Sequence, residues 1–295
     1  MICCPSCNML YAFDRLSCSN CNFSPKLVNQ IPVWAPAMAE FGGGFKPEYF
    51  AKLYQLEATH FWFRARNALI VWVLKKYLPN LQSFLEIGCG TGYVLSGIAS
   101  AFPHANINGS EIFVHGLSFA AERVKDAKFM QLDAVKIPFV DEFDVIGAFD
   151  VIEHVENDES VLAGMHKALK TGGYMILTVP QHPSLWSSAD EYWCHVRRYT
   201  SSEIHTKVKC AGFDIIKTTS FVSFLLPAML ALRFIGRNKP DFNGFDELNV
   251  NPIINKIFEY VMSLERILIK AGLTFPIGGS RIILAKKAVL NDTFQ

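Results

Sequence analysis

The sequence predicts an α/β protein: a doubly wound, Rossmann-like sheet of seven strands, with a cysteine-rich ribbon in front and a helical insertion between the last two strands. Three observations predict it. From Ser83 to Lys217, apolar runs of strand length alternate with helical stretches, the pattern of an open and largely parallel sheet. A glycine-rich turn, Gly88-Cys89-Gly90-Thr91-Gly92, follows the first run and opens a helix. Two Cys-x-x-Cys pairs stand ahead of the alternation, and about sixty residues separate the sixth strand candidate from the seventh.

At 295 residues the chain is too long for one minimal domain and too short for three, so one large core with additions is expected. With 51% hydrophobic and 19% charged residues it can bury that core, which excludes disorder over most of the length. The 28 Lys and Arg against 27 Asp and Glu leave a formal charge of +1. That balance removes the general electrostatic case for nucleic acid as a partner. Residues 1–25 hold Arg15 as their only basic residue and no long apolar run, so no secretory signal is read and a cytoplasmic protein is expected.

The first element, residues 1–36, is a zinc ribbon. Five of eight cysteines fall within the first 21 residues, which points to a local metal site in a reducing compartment. Cys4 and Cys7 form one pair, Cys18 and Cys21 the other, with ten residues between, a spacing that closes a tetrahedral Zn2+ shell of four thiolates. An iron site of similar geometry or unbound thiols are the alternatives. Cys3 is a neighbour of the ligands. So short a segment has no core of its own, so the metal supplies its folding energy. A closed shell offers no position for chemistry, which makes the ribbon a stabilising or docking element. Its only charges are Asp14, Arg15 and Lys26, too few for an RNA-binding surface.

Residues 37–80 form a helical lead-in. Phe41-Gly42-Gly43-Gly44 reads as a joint, and from Pro47 to about Leu78 the pattern is helical and aromatic. The run His60-Phe61-Trp62-Phe63-Arg64-Ala65-Arg66-Asn67 either packs its rings on the sheet or closes over a bound cofactor, with Arg64 or Arg66 pairing to a carboxylate.

The core is assigned to residues 81–220 together with 280–287. Its strands are expected at 84–87, 107–111, 129–132, 143–149, 174–179, 213–217 and 281–285. Asn157 is a candidate cap of a helix closed by Gly172, and Thr200-Ser201-Ser202-Glu203 reads as a capping box. Within the glycine loop, turns of positive φ let a ligand approach the backbone. Glu111, followed by Ile112, ends the second strand nineteen residues after Gly92, where a carboxylate can accept both hydroxyl protons of a ribose. Glu86 lies directly under the loop; it would repel a pyrophosphate and stabilise a cation. A ligand with a ribose, a positive amino group and no phosphate is therefore expected, and S-adenosyl-L-methionine has those features.

The pattern from Gln82 to Lys217, resumed at Ser280 to Lys287, resembles the class I S-adenosylmethionine-dependent methyltransferases. The resemblance implies that Asp133-Ala134 holds the adenine. It implies that the run Phe143 to Val155, which includes Phe149-Asp150-Val151-Ile152-Glu153-His154, ends beside the methionine and sulfonium. Leu169-Lys170-Thr171-Gly172-Gly173-Tyr174 and Thr178-Val179-Pro180 are similar to the family's entry into its fifth strand. The segment from Phe23 to Trp34 resembles the tail of zinc ribbons that accompany several methyltransferases, fused or as separate activating subunits.

Methyl transfer requires positioning and desolvation, with a base only where the acceptor must lose a proton. His154, His182 and His195 lie after strands or in the loop over the expected rim. Each is either a candidate base or a histidine bonded to backbone. The stretch 221–279 is where the substrate should be written. Thr218 to Leu232 is fifteen residues without a charge, too short and proline-bearing to span a bilayer. Ile253, Ile254, Ile257, Phe258, Val261, Leu264 and Leu268 recur at helical spacing after Asn251-Pro252. Together the two segments form a lid or dimer surface, an apolar substrate pocket, or a peripheral membrane contact. The expected function is methyl transfer to an oxygen of a small-molecule, saccharide or lipid-linked acceptor. The alternatives are a ribosomal or transfer RNA methyltransferase and a protein that holds the cofactor without turnover.

Overall fold

A computed structural model of the chain describes residues 1–39, 46–236 and 243–288; the glycine joint at 41–44 lies outside them. Strands β1 (Ile2–Cys3) and β2 (Leu10–Tyr11) make a small hairpin, and β3 (Lys26–Val28) pairs with β4 (Ile31–Val33). The lead-in is two helices, α1 (Pro47–Leu56) and α2 (Phe61–Tyr77). The alternation follows as β5 (Ser83–Ile87), α3 (Tyr93–Ala101), β6 (Asn106–Glu111), α4 (Val114–Arg123), β7 (Lys128–Gln131), β8 (Phe143–Phe149), α5 (Asp158–Ala168) and β9 (Leu169–Pro180). Then come α6 (Ser188–Tyr192), α7 (Ser201–Cys210), β10 (Phe213–Phe221), α8 (Leu226–Gly236), α9 (Gly244–Leu248), α10 (Pro252–Lys270) and β11 (Ser280–Lys287). Asn157 caps α5 through a bond from the Ser160 amide of 3.1 Å, and Thr200 caps α7 from Glu203 at 3.1 Å. α5 ends at Ala168, before Gly172, because β9 already pairs with β8 from Leu169.

The sheet runs β10-β11-β9-β8-β5-β6-β7-β4-β3. Strands β5 to β9 are mutually parallel, while β11 is antiparallel to both β9 and β10. The expected seven strands are therefore the core of a nine-stranded sheet. The two additional strands come from the ribbon, where β4 runs parallel to β7 with Val33 opposite Gln131. Buried Gln131 holds this junction: its side chain donates to the Ala35 carbonyl at 2.9 Å and accepts from the Ala35 amide at 2.8 Å. Ile2, Cys4, Tyr11 and Cys18 share one apolar cluster with Leu85, Ile146 and Leu177, so the ribbon is packed into the core of the sheet.

The opposite face carries α2, α3 and α4 against Phe84, Val145 and Ile176, and the insertion joins this layer through Val222, Leu225, Met262 and Ile269. α10 lies along α2. Asn255 accepts from the Phe61 amide at 2.9 Å and donates to the Thr59 carbonyl at 3.0 Å, Arg64 pairs with Glu259 at 2.9 Å, and Phe258 stacks edge-on against Phe61. Buried Glu265 accepts from the amides of Ser223 and Phe224 at 2.7 and 2.9 Å, tying α10 to the chain leaving β10. Among the described residues no helix is long and apolar enough to cross a membrane.

Candidate cofactor and acceptor site

A cavity of about 1160 Å³ opens at the C-terminal ends of the parallel strands, between them and the helices of the lead-in and insertion, which is where open α/β sheets take ligands. Its floor is the glycine loop. Gly88, Gly90 and Gly92 all hold positive φ, +67°, +52° and +75°, a region that side-chain-bearing residues rarely adopt. A Cβ on Gly88 would stand 2.6 Å from Val151, and one on Gly92 would stand 3.0 Å from Ala120, so these two glycines serve close packing. A Cβ on Gly90 would meet only Phe50, at 4.0 Å; there the constraint is backbone conformation beside open space. Cys89 is buried, with its amide on the Ser110 carbonyl at 2.8 Å.

Two carboxylates flank this floor. Glu111 accepts from the Gly90 amide at 3.0 Å and from the Ile112 amide at 2.9 Å, so it ties the loop to the end of β6. Burial pushes its pKa up and the three amides facing it oppose that shift. Glu86 is buried, and its Oε2 has no hydrogen-bond partner among the described residues. Burial raises its pKa well above the usual carboxylate range, and a buried carboxylate in that state calls for a polar or cationic partner. Asp133 caps the turn 134–136 by accepting from the Val135 amide at 3.0 Å, and both Asp133 and Ala134 line the cavity. An orphaned acid under a permissive loop, a pinned acid at the next strand end and a third beyond it fit S-adenosylmethionine.

The other end of the cavity is built differently. Asp150, at φ +55° after Phe149, pairs with Arg66 of α2 and accepts from Thr178 Oγ1 at 3.1 Å. The Arg66 guanidinium lies 4.4 Å over the Trp62 ring. Glu153 is fully buried. His154 bonds through Nδ1 to the Cys194 carbonyl at 3.2 Å, and burial, with His195 adjacent, pushes its pKa down to about 4. His195 bonds through Nδ1 to buried Asp190 at 2.9 Å. The remaining wall is mixed: Phe61, Leu225, Met229, Ile254 and Phe258 make an apolar stretch, with Asn243, Asp246, Glu247 and Asn251 of the insertion beside it.

The structure thus brings together Glu86, Gly88, Cys89, Gly90, Glu111, Ile112, Asp133, Ala134, Phe149, Asp150, His154 and His195 around one cavity. Gly92 stands just beneath it as the start of α3. His182 does not line it. Its backbone at φ +60° turns the side chain toward Arg198 and Arg281, where burial and those two charges hold its pKa down. The lead-in run does reach the cavity, through His60 to Phe63 and Arg66. Arg64 instead pairs with Glu259 of α10. Sequence reasoning passed over Glu153, one place before a histidine it selected. It also passed over the network in which Glu57 accepts from Thr91 and from Arg123 at 2.7 Å, locking α1 to the loop and to α4. A carboxylate inside an apolar strand-end run was the available signal for Glu153.

At the front of the chain, Cys4, Cys7, Cys18 and Cys21 converge, with Sγ atoms 3.6 Å apart for Cys4 and Cys21 and 3.6 Å for Cys7 and Cys18. Four sulfurs at ~2.3 Å from one ion stand about 3.8 Å apart, so this set fits a tetrahedral ion.

A family profile described as "Methyltransferase domain" matches residues 54–218. The biotin biosynthesis bifunctional protein BioHC of Teredinibacter turnerae is 30% identical over 156 residues, covering 46% of this chain and 27% of that protein. The mitochondrial ubiquinone biosynthesis O-methyltransferase of Candida albicans is 28% identical over 141 residues, covering 45% and 43%. The chain spans between about a quarter and a half of the length of such curated relatives. Among solved structures, phosphoethanolamine N-methyltransferase 2 of Haemonchus contortus in complex with S-adenosyl-L-methionine superposes with a TM-score of 0.51 at 20% identity, covering 74% of this chain and 52% of that one. That likeness is one of fold.

Proposed function

The chain belongs to the methyltransferase-domain family, and from that premise we propose that it methylates an oxygen of a small-molecule or lipid-linked acceptor, using S-adenosylmethionine. One observation carries the reading: the cavity that holds the glycine loop, Glu86, Glu111 and Asp133 is continuous with an apolar wall from α8 and α10. When bound, the cofactor supplies a methyl group on a sulfonium, which leaves as a neutral thioether. Glu111 would hold the ribose hydroxyls with the lone pairs its backbone donors leave open. Glu86 would hold the amino group, and Asp133 the adenine amine. Arg66 and Trp62 close the lead-in over Asp150 and exclude water. His154 and His195 face the acceptor oxygen, held in fixed orientations by Cys194 and Asp190. Oxygen is favoured over nitrogen because more of the curated relatives are named as O-methyltransferases than as N-methyltransferases. A lipid-linked group suits the apolar stretch of that wall at Phe61, Met229 and Phe258, where each buried methylene contributes about 0.8 kcal/mol.

The same proposal divides the chain into a zinc ribbon at 1–36, the lead-in at 37–80, the core at 81–220 with 280–287, and the acceptor-binding insertion at 221–279. The ribbon's four cysteines hold one structural Zn2+ that braces the edge of the sheet. Replacing Cys7 and Cys18 with serine should lower zinc content by one ion per chain; unchanged content would end the zinc assignment. For the function, labelled cofactor incubated with the full chain and separated lipid, small-molecule and RNA extracts should label the lipid or small-molecule fraction. Label confined to RNA would transfer the reading to nucleic acid, which the +1 net charge disfavours. Cofactor binding with no labelled fraction would make the chain a binding protein.

A further inference from the structure

Glu153, His154 and His195 each place a ligand-type atom within 4.8 Å of the others, and all three line the cavity opposite the glycine loop. We propose that these side chains hold a divalent transition-metal ion at the acceptor end. The inference rests on the reading of that end as the acceptor site.

Glu153 is the first reason. It is 0% exposed, and neither carboxylate oxygen has a hydrogen-bond partner among the described residues. A buried carboxylate without a hydrogen bond has lost its hydration and keeps only the through-space attraction of Arg66 and Arg198. Neighbouring guanidinium groups are committed elsewhere: Arg66 to Asp150, and Arg198 to Asp190 at 2.6 Å and the Gln181 carbonyl at 3.1 Å.

The histidines are the second. Each ring is anchored through Nδ1, one on a backbone carbonyl and one on a buried carboxylate. Donation from Nδ1 leaves the Nε2 lone pair for a ligand, and a carboxylate behind a histidine is the usual outer shell of a metal-bound imidazole. The rings stand with centroids 4.8 Å apart at 79°, so they converge without stacking.

The backbone is built to keep the two segments together. The Val196 amide donates to the Glu153 carbonyl at 2.8 Å, and Cys194 sits at φ +61°, a conformation costly for a residue with a Cβ. That turn is what delivers His195 to His154 across forty positions of sequence. Ligand atoms ~2.1 Å from a common ion stand about 3.0 to 3.4 Å apart in octahedral or tetrahedral shells, so a pair at the 4.8 Å limit closes by roughly 1.5 Å to complete the shell. Two imidazoles and one carboxylate suit zinc, manganese or ferrous iron and leave positions open toward the cavity; calcium and magnesium prefer all-oxygen shells. An ion there would bind an acceptor that presents a hydroxyl or another oxygen ligand.

The test is Mn2+ titration of the full chain followed by electron paramagnetic resonance, since thiolates take up Mn2+ poorly and the ribbon stays silent. The native chain should bind one Mn2+, displaced by Zn2+. Glu153→Gln and His195→Ala should each weaken Mn2+ binding about 100-fold or more, while Glu153→Gln, nearly the same shape, keeps its calorimetric affinity for S-adenosylmethionine. No Mn2+ bound by the native chain, or equal affinity in native chain and variants, overturns the site. Should one variant fail to fold, the native titration and the other variant still decide. Methylation that persists at the native rate in a chain holding zinc only in its ribbon would sink the metal and leave the proposed function standing. Metal binding with no cofactor affinity would do the reverse.

Discussion

The two ends of the cavity are made by different means. At the end proposed for the cofactor, Glu86, Gly88, Gly90, Glu111 and Asp133 sit at or just past the ends of three successive strands, β5, β6 and β7, and backbone amides do much of the holding. At the end proposed for the acceptor the wall is assembled from positions as distant as Phe61, Glu153, His195, Met229 and Ile254, held by ties such as His195 on Asp190 and His154 on the Cys194 carbonyl. A local motif makes the first end; the second exists only once the chain has folded. The difference teaches where variation is tolerated: the cofactor end has few alternatives at each position, whereas the acceptor end can be re-lined.

The largest effect should come from Gly90→Arg. Its φ of +52° would alone cost about 1–3 kcal/mol with a side chain, and the arginine would occupy the cavity floor. Cofactor affinity measured by calorimetry should fall by more than about 100-fold, and an affinity within a few-fold of native would break the assignment of this end. A smaller effect separates the struts that hold the acceptor end. Asn255→Ala removes both backbone bonds between α10 and the start of α2 and should cost about 1–3 kcal/mol of stability. Arg64→Ala removes an ion pair whose arginine is 47% exposed and should cost about 0–1 kcal/mol. Melting temperatures that fell equally would mean that the exposed pair seats the insertion as firmly as the asparagine.

Much of the fold was legible in the sequence. Seven strands stand within a few residues of their expected places, because the central apolar runs are buried on both faces, while the edge strand β10, partly exposed, is marked by its position after α7. The joining of β4 to β7 was not legible: a one-residue parallel bridge cemented by Gln131, about a hundred positions away, leaves no local pattern. The insertion was read as apolar, but its attachment was not, since Val222, Leu225, Met262 and Ile269 share the core of Phe84. Its removal would open that core, so point substitutions are the cleaner probe of its role. In the site, position alone pointed to the strand-end acids that line the cavity. The same argument pointed to His182, which stands outside the cavity lining at a left-handed turn that adjacency to a strand end does not announce. Glu153 was passed over because a buried, unpartnered carboxylate is recognisable only from its surroundings.

The most direct test of a cavity divided between cofactor and acceptor is calorimetric titration of S-adenosylmethionine into two variants, Glu111→Ala and Ile254→Asp, beside the native chain. Glu111→Ala deletes the proposed ribose acceptor and the tie to the Gly90 amide, so affinity should fall about 100-fold, the loss of about two buried hydrogen bonds. Ile254→Asp puts a charge on the apolar wall and should leave cofactor affinity within about two-fold while abolishing label transfer to the acceptor fraction. Native-like affinity in Glu111→Ala, or an equal loss in both variants, would contradict the account.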